Sequence, residues 1–382
     1  MRIGFLTSEY PHKLTSSSAG LGTSIKNLAV SLIREGIKVS IFIYGQGEDK
    51  QFTENGISFH LIKQKKYKVL GWYLYRKQLQ NYINRQIKKE KIDLIEAHDW
   101  TGITAFMKFS CPSVIRVNGS DAYFCHLDGR RQKPKNRFFE KKALKSVSAI
   151  VSVSAYAAKI TKEIFGLKVS IPVIPNSLDV ELFLPSAKPV VKDQLLYFGT
   201  LIRKKGVLEL AHIFNEIIKK KPEAMLLLIG KDVVDIFEKK STLKLFFQRL
   251  TPEAKKQITH FPEVGYEEIQ QYIATSKVVL LPSFAEALPM AWLEAMAMEK
   301  ALVTSNIGWA KEVMTNGETG FTEDPKDHFA YAGKVLQLLD NPDLAERMGK
   351  AARQQVVEKF STEVVVKQNI SFFENILKNK NG

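Results

Sequence analysis

The stretch VVLLPSFAEALPMAWLEAMA, residues 278–297, combines a strand, a short loop and a helix. Its apolar start ends at Pro282, which predicts a buried strand, and residues 291–298 are rich in helix formers. Glu286 and Glu294 then lie at the two ends of the predicted turn, at a sheet edge where doubly wound folds bind ligands. One acid can bind ribose hydroxyls while the other faces the reacting group. On spacing alone, a solvated helix residue at position 294 fits equally well.

Alternating strands and helices extend from this stretch along the rest of the chain. Apolar runs predict strands at 3–7, 39–44, 94–97, 114–117, 150–153, 195–199, 224–229, 278–281 and 301–304, with a hairpin piece at 57–62. Helical spacing predicts helices at 25–35, 70–91, 207–220, 266–275 and 362–377. This alternation predicts parallel sheets with helices on both faces.

The chain is long enough for two domains, since 382 residues exceed one ordinary core. Residues 172–192 hold four prolines and little periodicity, which indicates a domain boundary. We expect an N-terminal Rossmann-like domain at 1–185, a second at 186–360, and a C-terminal helix at 361–382, for which packing on either domain is an open alternative. The predicted fold class is α/β, with two doubly wound Rossmann-like domains facing across a cleft.

The composition is typical of a globular protein, with 45% hydrophobic and 25% charged residues. No run of about 18 apolar residues occurs, so we expect no membrane-spanning helix. Thr7, Ser8 and Glu9 interrupt the first apolar run, which favours a first strand over a signal peptide. Cys111 and Cys125 form no disulfide framework or zinc spacing, which indicates a reducing cytoplasm.

Positive charge is concentrated in the first half of the chain. Residues 1–185 hold 29 Lys and Arg against 15 Asp and Glu, whereas residues 186–382 hold 27 against 25. Residues 63–91 interleave cations with Trp72, Tyr73, Tyr75 and Tyr82, and residues 130–137 form a second basic run. This pattern suits an anionic membrane surface, and also single-stranded nucleic acid. A solvated helix face with an aromatic inner face is the structural alternative.

Two loops have the composition of phosphate-binding turns. Residues 16–24 place Gly20 and Gly22 before a predicted helix, where backbone amides can approach an anion, although a turn without a ligand fits as well. The loop is not a Walker A motif, because Gly22 is followed by Thr-Ser and not by a Lys-Ser or Lys-Thr pair. In residues 199–206, three successive cations beginning at Arg203 lie between a strand and a helix, where they would neutralise a diphosphate.

These motifs together resemble the retaining family 4 glycosyltransferases. GTLIRKKG at 199–206 is similar to the family's Gly-Arg-Leu…Lys-Gly signature, and Glu286 with Glu294 is similar to its two-glutamate motif. Further matches are PNSLD at 175–179, GLG at 20–22, IGWAKE at 307–312 and NGETGF at 316–321. The matches follow the family's order and span nearly the whole chain.

The resemblance implies a GT-B fold and an enzyme that transfers a sugar from a nucleoside-diphosphate-sugar bound mainly by the second domain. By that resemblance, Glu294 binds the donor ribose and Glu286 lies beside the donor sugar. Lys205 binds the diphosphate, with assistance from Arg203. The backbone amides of Ala287 and Leu288 face the phosphates, and Gly20 and Gly22 close over them from the acceptor side.

The chain departs from the family pattern at two positions. Thr200 stands where the family usually has Arg, and Arg203 is the expected replacement. Asn118 stands where many members have His, and it can hydrogen-bond a sugar hydroxyl but cannot act as an acid or base. His98 and Asp121 follow predicted strands, where contact with a substrate and a structural hydrogen bond are both open alternatives.

We expect no cofactor and no metal, because no Asp-x-Asp motif occurs and fixed cations would stabilise the leaving group. The expected partners are a nucleotide-sugar donor, a glycan or lipid-linked acceptor and the inner face of the cell membrane, but not nucleic acid. The alternative functions are a nucleotide-sugar epimerase, a phosphorylase and a basic nucleic-acid-binding protein. Asn118 disfavours the epimerase, no pyridoxal lysine signature supports the phosphorylase, and nucleic-acid binding would not require Lys205, Glu286 or Glu294.

Overall fold

The computed structural model describes residues 1–15, 20–265 and 268–379. The chain separates into two compact units. The first comprises Met1–Leu178 together with the chain from Ser361 onward, and the second comprises Asp179–Phe360. The chain therefore leaves the first unit within the proline-containing stretch at 172–192.

The first unit is a seven-stranded sheet covered by helices. Its strands have the order β3-β4-β2-β1-β5-β6-β7, and every neighbouring pair is parallel except the β3–β4 hairpin. The predicted hairpin piece at 57–62 is therefore a parallel strand with an antiparallel partner on its outer side. The elements are β1 Arg2–Thr7, α1 Gly20–Arg34, β2 Lys38–Gln46, β3 Lys50–Glu54, β4 Ile57–Lys63, α2 Gly71–Glu90, β5 Leu94–His98, β6 Ser113–Val117, α3 Asp121–Leu127, α4 Pro134–Leu144, β7 Ala149–Ser152 and α5 Ala155–Phe165.

The second unit is a six-stranded, fully parallel sheet of order β10-β9-β8-β11-β12-β13. Of the predicted helix at 266–275, Ile269–Thr275 is helical, with Glu268 at its N-cap, and Tyr266 and Glu267 lie outside the described residues. The elements are β8 Gln194–Phe198, α6 Val207–Lys220, β9 Met225–Ile229, α7 Thr242–Arg249, α8 Pro252–Lys256, β10 Ile258–Phe261, α9 Ile269–Thr275, β11 Val278–Leu281, α10 Met290–Ala297, β12 Ala301–Ser305, α11 Ala310–Val313, β13 Phe321–Glu323, α12 His328–Asp340 and α13 Pro342–Phe360.

The last helix, α14 at Thr362–Lys378, packs into the core of the first unit. Val365, Val366 and Phe373 belong to the same apolar cluster as the central strands, and Phe373 is fully buried. The backbone N–H of Thr362 donates a 3.0 Å hydrogen bond to the carbonyl of Leu178. This bond joins the start of α14 to the residue at which the chain leaves the first unit.

Each sheet has one point at which the strand order reverses. In the second unit this point lies between β8 and β11, and in the first unit it lies between β1 and β5. The chains leaving these neighbouring strands diverge to opposite faces, which opens a crevice at the carboxyl edge of the sheet. The loops after these four strands are therefore where the fold places ligand-binding residues.

One predicted helix start was wrong. The periodicity of apolar residues predicts that α1 begins at Ile25, but the described helix already includes Gly20, so both loop glycines belong to it. Small residues at the start carry no apolar signal. Gly22 is buried there, and a Cβ at this position would lie 3.2 Å from the Cα of Tyr10.

No helix within the described ranges combines the length and apolar character needed to cross a membrane.

Candidate functional site

The strand-order reversal of the second unit brings together a lysine and a glutamate predicted from separate motifs. Lys205 follows β8 and Glu286 follows β11, the two strands that pair at the reversal. The Nζ atom of Lys205 lies 3.4 Å from Oε1 of Glu286. Both side chains are partly exposed, at 25% and 14%, so this ion pair faces the crevice rather than the core.

Backbone contacts hold these two loops against each other. Gly206 has a φ of +72°, and a Cβ at this position would lie 1.9 Å from the carbonyl oxygen of Pro282. The backbone N–H of Phe284 donates a 2.7 Å hydrogen bond to the carbonyl of Lys204. Any side chain at position 206 would therefore push the two loops apart.

A serine that the sequence analysis did not select also contacts Glu286. The hydroxyl of Ser283 donates a 3.2 Å hydrogen bond to Oε1 of Glu286, and Ser283 is buried. Beneath the loops, the hydroxyl of Tyr197 donates to the carbonyl of Thr200 at 3.2 Å. Burial, with the charge of Glu286 adding to it, raises the pKa of Tyr197 well above its ordinary value, so this phenol stays neutral.

Arg203 contacts carboxylates in this structure. Its guanidinium forms bidentate hydrogen bonds with the carboxylate of Asp235, at 2.7 and 3.1 Å, and donates a third to Glu238 at 3.0 Å. The hydrogen bond to Asp235 raises the pKa of Arg203. Asp235 is fully buried, and no sequence motif marked it. The role of Arg203 toward a diphosphate stays a prediction.

The other predicted donor-binding residues lie at the start of α10 and within it. Ala287 and Leu288 are buried in the turn that precedes the helix, and Glu294 is buried within α10 at 7% exposure. The positive end of the helix dipole is at Met290, close in sequence to both amides. Their predicted contacts with phosphate and ribose stay predictions.

In the first unit, His98 and Asn118 line one cavity at the ends of the adjacent strands β5 and β6. Burial lowers the pKa of His98 to about 4, so the imidazole is neutral at pH 7. Its Nε2 lies 3.2 Å from the hydroxyl of Tyr44, and among the described residues its Nδ1 has no hydrogen-bond partner. A neutral imidazole here acts as a hydrogen-bonding group rather than as an acid.

Asp99, which directly follows His98, is a buried acid that the sequence analysis missed. Its Oδ1 accepts a hydrogen bond from the backbone N–H of Asn118, and its Oδ2 has no partner within the part of the chain that the structure describes. Burial raises the pKa of Asp99 to about 8, against the lowering effect of the Asn118 hydrogen bond. Its position after a strand could have signalled it. The predicted candidate Asp121 is also buried and accepts hydrogen bonds from side chains of α3, α4 and the segment between them.

The two loop glycines differ in their surroundings. Gly20 is exposed, and a Cβ there would meet no atom of the described residues within 4 Å. The backbone N–H of Gly22 donates a 2.8 Å hydrogen bond to Oε1 of Glu9, from the loop after β1. A carboxylate thus contacts one of the amides that the sequence analysis predicted for phosphates.

The basic stretch at 63–91 separates into an exposed segment and an amphipathic helix. Lys65, Lys66 and Lys68 are exposed beside two apolar residues, Val69 at 71% and Leu70 at 57% exposure. In α2, Tyr75, Arg76 and Leu79 are buried, and the ring of Trp72 contacts Phe106 and Phe139. The aromatic inner face predicted as the structural alternative is present, and the exposed lysines precede it.

Two family matches cover most of the chain in sequence order. The family described as "Glycosyltransferase Family 4" matches residues 18–182, and the family described as "Glycosyl transferases group 1" matches residues 181–355. The chain belongs to the group 1 glycosyltransferases. The two matches meet at residues 181–182, close to the change from the first unit to the second.

Two of the curated relatives have names that refer to polysaccharide synthesis. The chain is 26% identical to the glycogen synthase of Mycobacterium tuberculosis over 290 residues, covering 72% of this chain and 66% of that protein. It is 27% identical to the capsular polysaccharide biosynthesis glycosyltransferase CapM of Staphylococcus aureus over 186 residues, covering 49% and 47%. The matched region thus spans between about half and two thirds of the length of these relatives.

Solved structures share the fold over almost the full chain. Sucrose-phosphate synthase from Thermosynechococcus elongatus superimposes with a TM-score of 0.81 at 16% identity, covering 99% of each chain. Anabaena Alr3699/HepE, solved in complex with UDP and glucose, has a TM-score of 0.76 at 16% identity, covering 98% of this chain and all of that one. The family's GT-B fold, with two Rossmann-like domains, is therefore the fold of this protein.

Proposed function

We propose that this protein is a retaining glycosyltransferase that moves a sugar from a nucleoside-diphosphate-sugar to a glycan or lipid-linked acceptor. The observation that carries the proposal is the Lys205–Glu286 contact at the strand-order reversal of the second unit. This contact supports the proposal because a leaving diphosphate would need a cation and sugar hydroxyls would need a carboxylate, and the two groups lie side by side here. The complex of Anabaena HepE with UDP supports a donor of this class.

In this proposal the second unit binds the donor. Lys205 binds the diphosphate with help from Arg203, and the amides of Ala287 and Leu288 face its oxygens. Glu294 anchors the ribose, and Glu286 orients the donor sugar. Fixed cations and backbone amides stabilise the negative charge that develops on the diphosphate, so the proposed reaction is independent of metal ions and cofactors.

The first unit binds the acceptor in the same proposal. Gly20 and Gly22 approach the phosphates from the acceptor side, and His98 and Asn118 hydrogen-bond sugar hydroxyls. As the bond from the anomeric carbon to the diphosphate breaks, the acceptor oxygen bonds that carbon on the same face. The acceptor's hydroxyl proton passes to an oxygen of the departing diphosphate, so the configuration is retained.

A cellular role in surface polysaccharide or glycolipid synthesis agrees with the match to CapM. We place the protein in the cytoplasm, attached reversibly to the inner membrane face through its basic surface. Lipid-linked acceptors reside at such a surface, and the exposed cations with neighbouring apolar residues suit it.

A donor screen tests this function. Uridine, guanosine and adenosine diphosphate sugars are compared by thermal shift, and release of nucleoside diphosphate is then measured with the donor that stabilises the protein. Glu294→Ala should abolish both binding and release, whereas the matched control Glu346→Ala, an exposed glutamate on α13, should behave as wild type. The nuclear magnetic resonance signal of the product's anomeric proton shows whether the anomeric configuration of the donor sugar is retained.

Other outcomes of this screen contradict the proposal. Conversion of the donor sugar to an isomer without an acceptor would identify an epimerase, and an inverted linkage would exclude the retaining mechanism. If no donor stabilises the protein or is consumed, the transferase function itself is wrong.

A further inference from the structure

Ser283 is a buried residue of the loop between β11 and α10. Its hydroxyl donates a hydrogen bond to Glu286, the carboxylate proposed to bind the donor sugar. β11 ends at Leu281, and the backbone N–H of Ser283 donates a 2.9 Å hydrogen bond to the carbonyl of Leu281. This contact fixes Ser283 at the turn, and its side chain is only 3% exposed. The hydroxyl therefore reaches Glu286 from a fixed position.

Two donors share one carboxylate oxygen of Glu286. The hydroxyl of Ser283 lies 3.2 Å from Oε1, and the ammonium of Lys205 lies 3.4 Å from the same atom. The two donors come from different loops, which are held together by the Phe284–Lys204 backbone hydrogen bond. Within the described part of the chain, Oε1 therefore has one charged and one neutral neighbour among its contacts.

A bound diphosphate would treat these two donors differently. It carries more negative charge than one carboxylate, so it draws the Lys205 ammonium toward itself through charge-assisted hydrogen bonds. The Lys205 side chain is flexible and partly exposed, which permits this movement. Ser283 is neutral and buried, so its hydroxyl keeps its place.

We propose that Ser283 is a positioning residue that holds Glu286 toward the donor sugar when Lys205 engages the diphosphate. The inference rests on the proposed function and assigns a residue that the family resemblance did not mark. The hydrogen bond acts in the step in which the sugar leaves the diphosphate, so its loss lowers kcat and leaves nucleotide binding unchanged.

The test compares Ser283→Ala with wild type, using the donor identified by the screen. We expect kcat to fall about tenfold, the value for one lost hydrogen bond to a charged group, with KM for the donor and affinity for UDP within about twofold. Ser283→Thr, which keeps the hydroxyl, should recover most of the activity. The control is Ser276→Ala, a buried serine just before β11 that donates to the carbonyl of Tyr272, and it should keep normal kcat.

A double-mutant cycle separates positioning from general structural support. Glu286→Asp withdraws the carboxylate from Ser283, so Ser283→Ala should add less than about twofold to the loss measured in that background. A full tenfold additional loss, or a normal kcat for Ser283→Ala, would overturn the proposal. If Ser283→Ala does not fold, Ser283→Cys, of similar size but a weak donor, takes its place. Absence of transfer by the wild type would instead count against the proposed function.

Discussion

The backbone N–H of Asn118 donates a 3.1 Å hydrogen bond to Oδ1 of Asp99, which joins the ends of β5 and β6. Asn118 stands where the family resemblance implies a histidine, and Asp99 is an ionisable group that contacts its backbone. Because burial raises the pKa of Asp99 to about 8, most molecules carry the neutral acid at pH 7. The loop that presents Asn118 is therefore held by an uncharged carboxyl group.

Asp99 should make the stability of the protein fall as the pH rises from about 4 to about 8. The unfolded chain releases this proton near pH 4, whereas the folded chain retains it until about pH 8. The stabilisation is complete below pH 4, decreases as the pH rises above that value, and is lost once the pH has passed 8, where the folded state holds a buried charge. Asp99→Asn, which cannot ionise, should lose several degrees less in melting temperature over this range. Parallel melting curves for the two proteins would contradict the assignment.

Replacing Lys205 should mainly weaken UDP binding, whereas replacing Arg203 should mainly lower the stability of the fold. Lys205→Met should weaken UDP binding by about tenfold or more, since it removes the cation beside Glu286. Arg203→Met should weaken binding less, because that guanidinium contacts Asp235 and Glu238. It should instead lower the free energy of unfolding by about 1–3 kcal/mol, since the buried Asp235 loses a partner. Calorimetric titration with UDP and denaturant unfolding measure the two effects.

A result in which both variants lose UDP binding equally would show that Arg203 leaves Asp235 for the diphosphate. Lys204→Met, in the same turn, is the matched control for a general loss of positive charge.

Phe373 should be essential to the first unit. It is fully buried in the apolar cluster that contains Ile3 and Phe5, although it lies near the end of the chain. Phe373→Ala should therefore cost about 3–5 kcal/mol in the free energy of unfolding, the range for large aromatic truncations in cores. Phe372→Ala is the control, since this neighbour is only partly buried. Equal, small losses for both would place α14 outside the cooperative core.

The exposed lysines before α2 should govern attachment to anionic vesicles. Replacing Lys65, Lys66 and Lys68 by Gln should weaken vesicle binding by about a hundredfold, from about 1 kcal/mol for each cation near the surface. Flotation with vesicles of neutral and of mixed anionic lipid, at low and at high salt, measures this binding.

The control for this experiment removes the same charge from the second unit, at the exposed residues Lys220, Lys255 and Lys256. It should bind vesicles as wild type does. Binding that is insensitive to salt or to anionic lipid would remove the membrane proposal, and tight binding of single-stranded nucleic acid in its place would favour the alternative use of this surface.

Motif residues were the part of the site that the sequence could reveal. Lys205 and Glu286 stand 81 positions apart, and each was predicted from local signals, a basic turn after one strand and an acid after a later apolar run. Their proximity follows from topology, because the strands before them pair at the reversal of strand order. The contact partners of Arg203 could not be predicted in this way, since the loop containing Asp235 has no distinctive pattern.

The sequence by itself determined the α/β class, the two-domain organisation, the family and the motif residues. Each of these can be predicted from local periodicity of apolar residues, from the composition of turns or from short motifs. Only the tertiary structure decided that Ser283 shares a carboxylate oxygen with Lys205, that Asp99 is buried under Asn118 and that α14 completes the first core. The physical reason is that hydrogen bonds and burial depend on neighbours distant in sequence, and a serine or aspartate carries the same local signal whether it is solvated or enclosed.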